Sequence, residues 1–489
     1  MKPLLLPVLL ATMLSAAPAW SRTWGTLEFT ECDLPQAGSG VTTRAECATL
    51  VVPEDPAKPD GRTITLKIAM VASRAGEPAP DPVLFIAGGP GQSATESWAQ
   101  VAGAFSPMRD HRHVLFVDQR GTGGSNALRC EMPEADDAIE TLDADASRDA
   151  QVAMARDCLA SLDGDVAQYT TGVAIQDLEA VRVAIGAPKL NLYGGSYGTR
   201  VAQEYARRYP DAVRSLILDG VVPPGLALGG EHAINLESAL KAILGECAAQ
   251  PACATAFGDP YRTLYTLRDR VRAAPVAVTV RDPLTFQPRA LRLDESSVVT
   301  IARLFAYAPE SAALLPLLLD EAVKGRPASL VAQAALIYDS LAGQINHGMQ
   351  LSVICAEDAP RLARRDEDED LILGHALVGV TLNQCSVWPK GPVSADFAEP
   401  LTLDVPVLLL SGEFDPVTPP RYAEEVAKSL PRARHLVGTG QGHILLMRGC
   451  MPRLAGEFVE SLDLDALDAS CLEPLTALPF FIDYTGAEP

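Results

Sequence analysis

The chain has 489 residues, of which 48% are hydrophobic, enough for one large core or for a core with an accessory domain. Its 40 Lys and Arg against 62 Asp and Glu give a formal net charge of −22. Nucleic acids and anionic membranes are therefore unsuitable partners, because both are bound through patches of Lys and Arg. A cationic ligand, such as a peptide with a free amine, would be attracted.

The first 19 residues have the pattern of a secretory signal peptide. Lys2 gives a positive start, residues 4–14 are almost wholly apolar, and residues 17–19 are small enough for a signal peptidase. We expect cleavage after Ala19 and an exported protein, periplasmic or extracellular. The alternative is a membrane anchor, but a span needs about 20 apolar residues and this run is shorter. We expect no stable membrane association.

The mature chain contains ten cysteines, and an even number in an exported protein indicates disulfides. Pairing neighbours in order gives five short loops, and we expect that connectivity, although spacing alone does not fix it. No cluster of Cys and His has the spacing of a zinc site, so neither a metal nor a cofactor is expected. The ten are Cys32, Cys47, Cys130, Cys158, Cys247, Cys253, Cys355, Cys385, Cys450 and Cys471.

Short apolar runs alternate with helical patterns along the chain, which predicts an α/β fold with a mostly parallel sheet and helices on both faces. The apolar runs are residues 82–86, 113–117, 190–193, 216–218 and 407–410. Residues 221–399 differ because they read as largely helical. We therefore predict three parts after the signal peptide: a first core part (20–220), a helical cap (221–399), and a second core part with a C-terminal tail (400–489).

Ser196 is the predicted nucleophile. It lies in Gly194-Gly195-Ser196-Tyr197-Gly198, which fits G-x-S-x-G, with an apolar strand before it and a helical pattern after it. A serine on such a sharp turn needs very small neighbours two residues away, since larger side chains would collide. The alternative is a glycine-rich turn with an incidental serine.

A serine needs a base, and the base needs an acid to orient it. In this kind of site both follow the serine in chain order. Asp415, in the turn after the 407–410 strand, is the predicted acid, with Glu413 and Asp219 as rivals. His443, in a glycine-rich loop, is the predicted general base, whereas His435 reads as a strand residue.

Glycines that follow the 82–86 strand predict an oxyanion hole. In Ala87-Gly88-Gly89-Pro90-Gly91 the backbone N–H groups can face a reacting carbonyl. We expect the hole to combine the amides of Gly89 and Tyr197. An ordinary turn is the alternative.

These motifs together resemble the proline iminopeptidase and tripeptidyl aminopeptidase family of α/β-hydrolases. The similarity runs from about Thr63 to Arg448 and includes Asp118-Gln119-Arg120-Gly121-Thr122-Gly123-Gly124-Ser125, which we expect to brace the oxyanion loop. The cysteine-rich C-terminal part resembles the tripeptidyl aminopeptidase branch. One departure is Ala87, where the family has a histidine.

The resemblance implies an α/β-hydrolase fold with a helical cap and an aminopeptidase that works through an acyl-enzyme. It also implies an acidic cap residue for the free amine of the substrate, and Glu357 in Cys355-Ala356-Glu357 is the candidate, with an ordinary surface acid as the alternative. Two other functions stay open: an esterase or other small-molecule hydrolase with the same triad, and a catalytically silent binding protein.

Overall fold

The computed structural model describes residues 21–35, 41–130, 148–282 and 285–487. The predicted signal peptide lies outside these residues. The strands are β1 Ser21–Trp24, β2 Leu27–Pro35, β3 Thr42–Pro53, β4 Thr63–Val71, β5 Val83–Ile86, β6 Val114–Val117, β7 Leu190–Gly195, β8 Val213–Asp219, β9 Val276–Arg281, β10 Pro288–Leu293, β11 Val407–Gly412, β12 Ala433–Gly438, β13 Phe481–Asp483 and β14 Gly486–Ala487.

The helices alternate with the core strands and are concentrated between β8 and β11. They are α1 Ala94–Val101, α2 Arg148–Ser161, α3 Thr171–Ala184, α4 Tyr197–Arg208, α5 His232–Ala249, α6 Pro251–Phe257, α7 Pro260–Ala273, α8 Glu295–Phe305, α9 Pro309–Ala312, α10 Leu315–Val323, α11 Ala328–Ala342, α12 His347–Glu357, α13 Ala376–Cys385, α14 Pro420–Ala427 and α15 Met451–Ser461.

Ten strands form one twisted sheet in the order β1-β2-β3-β4-β6-β5-β7-β8-β11-β12. The six strands from β6 to β12 in this order are parallel, and β1 to β4 add an antiparallel edge. The chain leaves β5 for β6 on one side and then crosses to β7 on the other. Loops after β5 and β7 therefore meet at a point where the strand order reverses, which is where such sheets bind ligands.

Strand register brings the predicted site loops to one level of the sheet. Ile86 pairs with Gly194, Gly195 with Asp219, and Asp219 with Leu410. Gly412 pairs with Gly438 on the last strand. The four loops that carry the predicted oxyanion hole, nucleophile, acid and base therefore all begin at the same edge.

The buried strands place alternate side chains in two cores. Leu84 and Ile86 face one cluster, which also contains residues of α3 and α4. Val83 and Phe85 face the other, which also contains residues of α1 and α15. The strands are thus covered on both faces, and this explains their nearly continuous apolar sequences.

The segment between β8 and β11 has two parts. The helices α5 to α11 enclose a core of their own with the β9–β10 hairpin. By contrast, α12 contributes Met349, Val353 and Cys355 to the cluster under the sheet. Phe480, in the C-terminal tail, packs into the core of the first part. Hence helix α12, in the second half of the predicted cap, packs against the core of the sheet.

All ten cysteines are paired, in the order that the sequence predicts. The pairs are Cys32–Cys47, Cys130–Cys158, Cys247–Cys253, Cys355–Cys385 and Cys450–Cys471. Five disulfides fit a protein that folds in an oxidising compartment. Among the helices of the described ranges, none combines the length and the apolar character that crossing a bilayer requires.

Candidate active site

Ser196 occupies a strained turn between β7 and α4, with φ 54° and ψ −122°. Backbone of this kind is rare for a residue with a side chain and is held by its surroundings. A Cβ at Gly194 would lie 2.3 Å from the Gly198 carbonyl oxygen, and one at Gly198 would lie 2.4 Å from the Ile86 oxygen. Both glycines are therefore required for the turn, for the reason that the sequence motif suggests.

Asp415 and His443 are in direct contact. The Oδ2 atom of Asp415 lies 2.7 Å from Nδ1 of His443. The other oxygen accepts the backbone N–H groups of Val417 and Thr418, each at 2.8 Å. This carboxylate is 2% exposed. A buried acceptor on Nδ1 keeps the proton on that nitrogen and leaves Nε2 free to act as a base.

The surroundings of the pair favour its charged form. Burial opposes ionisation of Asp415, but the charge and hydrogen bond of His443 and the two amides outweigh it and lower the pKa of Asp415. Burial likewise opposes the charged imidazole. The charge and hydrogen bond of Asp415, together with the charge of Asp219, raise the pKa of His443 above its usual value. An imidazolium that forms during reaction is thus stabilised.

The two rival acids bind elsewhere. Glu413 accepts the backbone N–H of Gly440 at 2.8 Å. Asp219 accepts the N–H groups of Leu445 and Leu446, each at 2.8 Å. Of the three acids weighed from the sequence, Asp415 is the one placed against the ring of His443.

Ser196 and His443 both lie against the backbone of Asp219 and Gly220. The amide of Ser196 donates to the carbonyl of Asp219 at 2.8 Å. A Cβ on the next residue, Gly220, would lie 3.0 Å from Cε1 of His443. The imidazole therefore packs on the Asp219–Gly220 backbone, to which the amide of Ser196 is hydrogen-bonded.

The predicted oxyanion loop lies directly against the nucleophile. A Cβ at Gly88 would lie 3.2 Å from the Cβ of Ser196 and 3.0 Å from the Gly195 oxygen. Gly89 has φ +107°, which a side chain would rarely permit. Tyr197 follows the serine as the first residue of α4. The loop and the start of the helix thus flank Ser196, where amides could meet a developing oxyanion.

The motif that begins at Asp118 braces this loop, as the sequence predicts. Asp118 accepts the hydroxyls of Ser93 and Thr95 at 2.7 and 2.9 Å, and the amide of Thr95 at 2.9 Å. These residues begin α1, directly after the loop. Arg120 forms a buried ion pair with Asp177 at 2.7 Å.

Glu357, the candidate for binding the substrate amine, is buried and hydrogen-bonded within the protein. Its carboxylate accepts the amide and the hydroxyl of Thr171 at 2.7 and 2.8 Å, lies 3.9 Å from Arg200, and is 1% exposed. Burial raises the pKa of Glu357 to about 7, against the charge of Arg200. The Thr171 hydroxyl in turn lies 2.7 Å from the hydroxyl of Tyr197. An amine could reach Glu357 only by displacing these partners, so the geometry favours support of the nucleophile helix.

Three further residues at the site were missed in the sequence. Thr418 places its hydroxyl 2.8 Å from Asp415 and 3.1 Å from Nδ1 of His443. The carbonyl of Tyr307 accepts the His443 amide at 2.8 Å, and its ring meets the imidazole edge-on. Asn346 donates its backbone and side-chain N–H groups to Gly91 at 2.9 and 2.8 Å. A signal existed only for Thr418, since an Asp followed by turn residues commonly binds that turn.

Comparison with known proteins agrees with this fold. Residues 81–275 match the family model for the alpha/beta hydrolase fold, and residues 372–471 match the model described as TAP-like protein. The chain has the α/β-hydrolase fold with a TAP-like C-terminal part, in agreement with the resemblance to the proline iminopeptidase and tripeptidyl aminopeptidase family. It is a serine hydrolase of the peptidase type.

Several curated proteins are similar in sequence. Serine protease Hip1 of Mycobacterium tuberculosis is 28% identical over 464 residues, which cover 86% of each chain. The tripeptidyl aminopeptidase of Streptomyces lividans is 30% identical over 198 residues, or 37% of this chain and 36% of that protein. The proline iminopeptidase of Neisseria gonorrhoeae is 29% identical over 146 residues, or 30% and 34%.

Proposed function

We propose that the protein is an exported serine aminopeptidase that releases residues or tripeptides from the free N-terminus of peptides. Ser196 is the nucleophile, His443 the general base, and Asp415 the acid that orients it. The observation that carries the proposal is the 2.7 Å contact between Asp415 and His443, beside a serine on a strained turn. The names of the similar peptidases and the charge of −22 support a cationic peptide substrate.

The reaction follows from these positions. Nε2 of His443 takes the proton of Ser196 as its Oγ attacks the scissile carbonyl, while Asp415 stabilises the imidazolium. The amides of Gly89 and Tyr197 stabilise the oxyanion. The proton then passes to the departing amine, whose C–N bond breaks to leave an acyl-enzyme. Water, deprotonated by His443, attacks the ester, the bond between the acyl carbon and Oγ breaks, and His443 returns the proton to Ser196 as the acid product leaves.

The decisive experiment compares free and blocked peptides. The purified enzyme is incubated with aminoacyl and tripeptidyl fluorogenic amides, with the same tripeptides N-acetylated, and with short acyl esters. We expect cleavage of the free-amine amides, with acetylation reducing kcat/KM by at least about 100-fold, because acetylation removes the charged amine that the proposed activity requires. Full activity on acetylated peptides would exclude an aminopeptidase, and activity on esters alone would favour the esterase alternative.

Export is tested separately. We expect N-terminal sequencing of the protein recovered from the periplasm or the medium to start at Trp20, and thiol titration to find all ten cysteines oxidised. Recovery only in the cytoplasm, with residues 1–19 intact, would contradict this part of the proposal.

A further inference from the structure

Asp219 is a buried acid that the proposed reaction does not use. It ends β8, is fully buried, and lies outside the contact between Asp415 and His443. An acid taken out of water is costly unless its oxygens are satisfied. Its partners therefore show what it holds in place.

Both oxygens of Asp219 hold the loop that carries His443. One accepts the amide of Leu445 and the other the amide of Leu446, each at 2.8 Å, while the hydroxyl of Tyr193 donates to it at 3.0 Å. Between His443 and these amides lies Ile444, with φ +73°. A β-branched residue in this region is strained and persists only where its surroundings fix it. The carboxylate supplies that fixation.

The backbone of the same residue holds the nucleophile. The Asp219 carbonyl accepts the amide of Ser196 at 2.8 Å, and the next amide, that of Gly220, donates to Leu410 at 3.0 Å. One residue at the end of a central strand therefore contacts the nucleophile turn through its main chain and the histidine loop through its side chain.

We propose that Asp219 is a positioning residue that fixes His443 relative to Ser196. This role rests on the proposed triad and deepens it. A general base works only within hydrogen-bond reach of its proton, and an error of about 1 Å can cost about 100-fold in rate. Asp219 secures that separation from both sides.

The charges around the imidazole set the pKa of His443, so the pH profile gives a second measurement of the role of Asp219. The charges of Asp415 and Asp219 act on the imidazole of His443, which also contacts the ring of Tyr307 and the hydroxyl of Thr418. His232 interacts electrostatically with His443 and with Arg303. Burial raises the pKa of Asp219 to about 6, although the two amides, Tyr193 and His443 oppose this. Above that pH, Asp219 is charged and contributes to the raised pKa of His443.

The test is Asp219→Asn, with Tyr193→Phe as the matched control. The Asn variant puts an NH₂ group against one of the two loop amides and removes the charge. We expect kcat to fall about 10- to 100-fold with little change in KM. Because the pKa of His443 loses a contribution that raises it, the acidic limb of kcat/KM should move to lower pH. Tyr193→Phe keeps both amide bonds but loses a hydrogen bond that lowers the pKa of Asp219, so the two variants are compared at pH 8, where Asp219 of Tyr193→Phe stays charged and kcat should be close to wild type.

Several outcomes would overturn the role of Asp219. An Asn variant with wild-type kcat, or with an unmoved acidic limb, would do so. Ser196→Ala, measured in parallel, separates the two proposals: if it is inactive while Asp219→Asn is normal, only the positioning role fails. If Asp219→Asn does not fold, hydrogen exchange on the wild-type enzyme decides, since the amides of Leu445 and Leu446 must be strongly protected, and exchange at the rate of unstructured chain would contradict the role.

Discussion

The edge of the sheet and the cap contribute to the site in different ways. Every side chain of the proposed triad comes from a loop that follows a core strand, and strand register aligns these loops. The segment between β8 and β11 instead supports them: Tyr307 accepts the His443 amide, and Asn346 binds Gly91 in the oxyanion loop. The core therefore supplies the reacting groups, and the cap holds two of their loops.

This difference orders the expected effects of substitution. Substitutions in the loops at the sheet edge should remove a group of the proposed triad or distort the turn that carries Ser196. Changes in the cap should alter the rate modestly, because each supported loop keeps its own core contacts.

Asp415→Asn should have the largest effect of this series. The Asn side chain favours the wrong tautomer of His443, so kcat should fall about 10⁴-fold. In the wild type, kcat/KM should fall as pH drops below the raised pKa of His443, because the imidazole must be neutral to act as a base. In the variant that pKa loses the charge of Asp415, so the residual activity should persist to lower pH. An acidic limb that moves upward or stays in place would contradict this role.

Gly198→Ala should distort the turn at Ser196 while leaving the three side chains of the proposed triad in the sequence. The new methyl group would sit 2.4 Å from the oxygen of Ile86 and 2.9 Å from that of Ala87, both main chain. We expect a loss of about 1–3 kcal/mol in the free energy of unfolding, with a large fall in kcat as the oxyanion loop shifts. The matched control is Gly245→Ala, in helix α5 with no atom within 4 Å of the added Cβ, which should stabilise by about 0.5–1 kcal/mol. Equal melting temperatures for the two variants would refute the packing argument.

Asn346→Ala tests the support given by the cap. It removes the side-chain hydrogen bond to Gly91, leaves the backbone one, and frees Arg129 from its contact at 3.1 Å. We expect kcat to fall about tenfold and the free energy of unfolding to fall by about 1 kcal/mol, each the equivalent of one hydrogen bond. Asn383→Ala, which removes a cap contact with Gln151, is the control and should keep wild-type kcat. A loss of kcat as large as that of Asp415→Asn would mean that Asn346 takes part in the reaction, and would contradict a purely supporting role for the cap.

Glu357→Gln should have the smallest effect. With its pKa raised to about 7, the wild-type side chain is largely neutral at pH 6, where Gln resembles it. We expect KM for free-amine and for acetylated substrates to change by the same factor, below about threefold at pH 6. A loss confined to free-amine substrates would restore the amine-binding role expected from the sequence.

The strands, the nucleophile turn and the disulfide pairing could be predicted because their causes are local. Gly194 and Gly198 leave room that only glycine provides, and the apolar runs show which strands are covered on both faces. Asp415 and His443 follow from chain order, and the structure brings them into contact, while their roles remain predictions.

The contacts of the cap could not be predicted, because they join residues far apart in sequence. Asn346 and Gly91 are 255 positions apart in the sequence, and nothing in the sequence around either residue indicates their contact. The burial of Glu357 against Thr171 could not be predicted for the same reason, and its amine-binding role stays a prediction. Whether a carboxylate faces a substrate or Thr171 depends on a packing that one sequence does not encode locally.

The proposed action of His443 on Ser196 is tested by active-site labelling with a fluorophosphonate. The modified peptide is identified by mass spectrometry, and the labelling rate is measured in the wild type and in His443→Ala. We expect the label on Ser196 and a labelling rate at least about 10³-fold slower without the imidazole, since serine and histidine act as one unit. A label on another residue, or labelling of His443→Ala at the wild-type rate, would contradict that action.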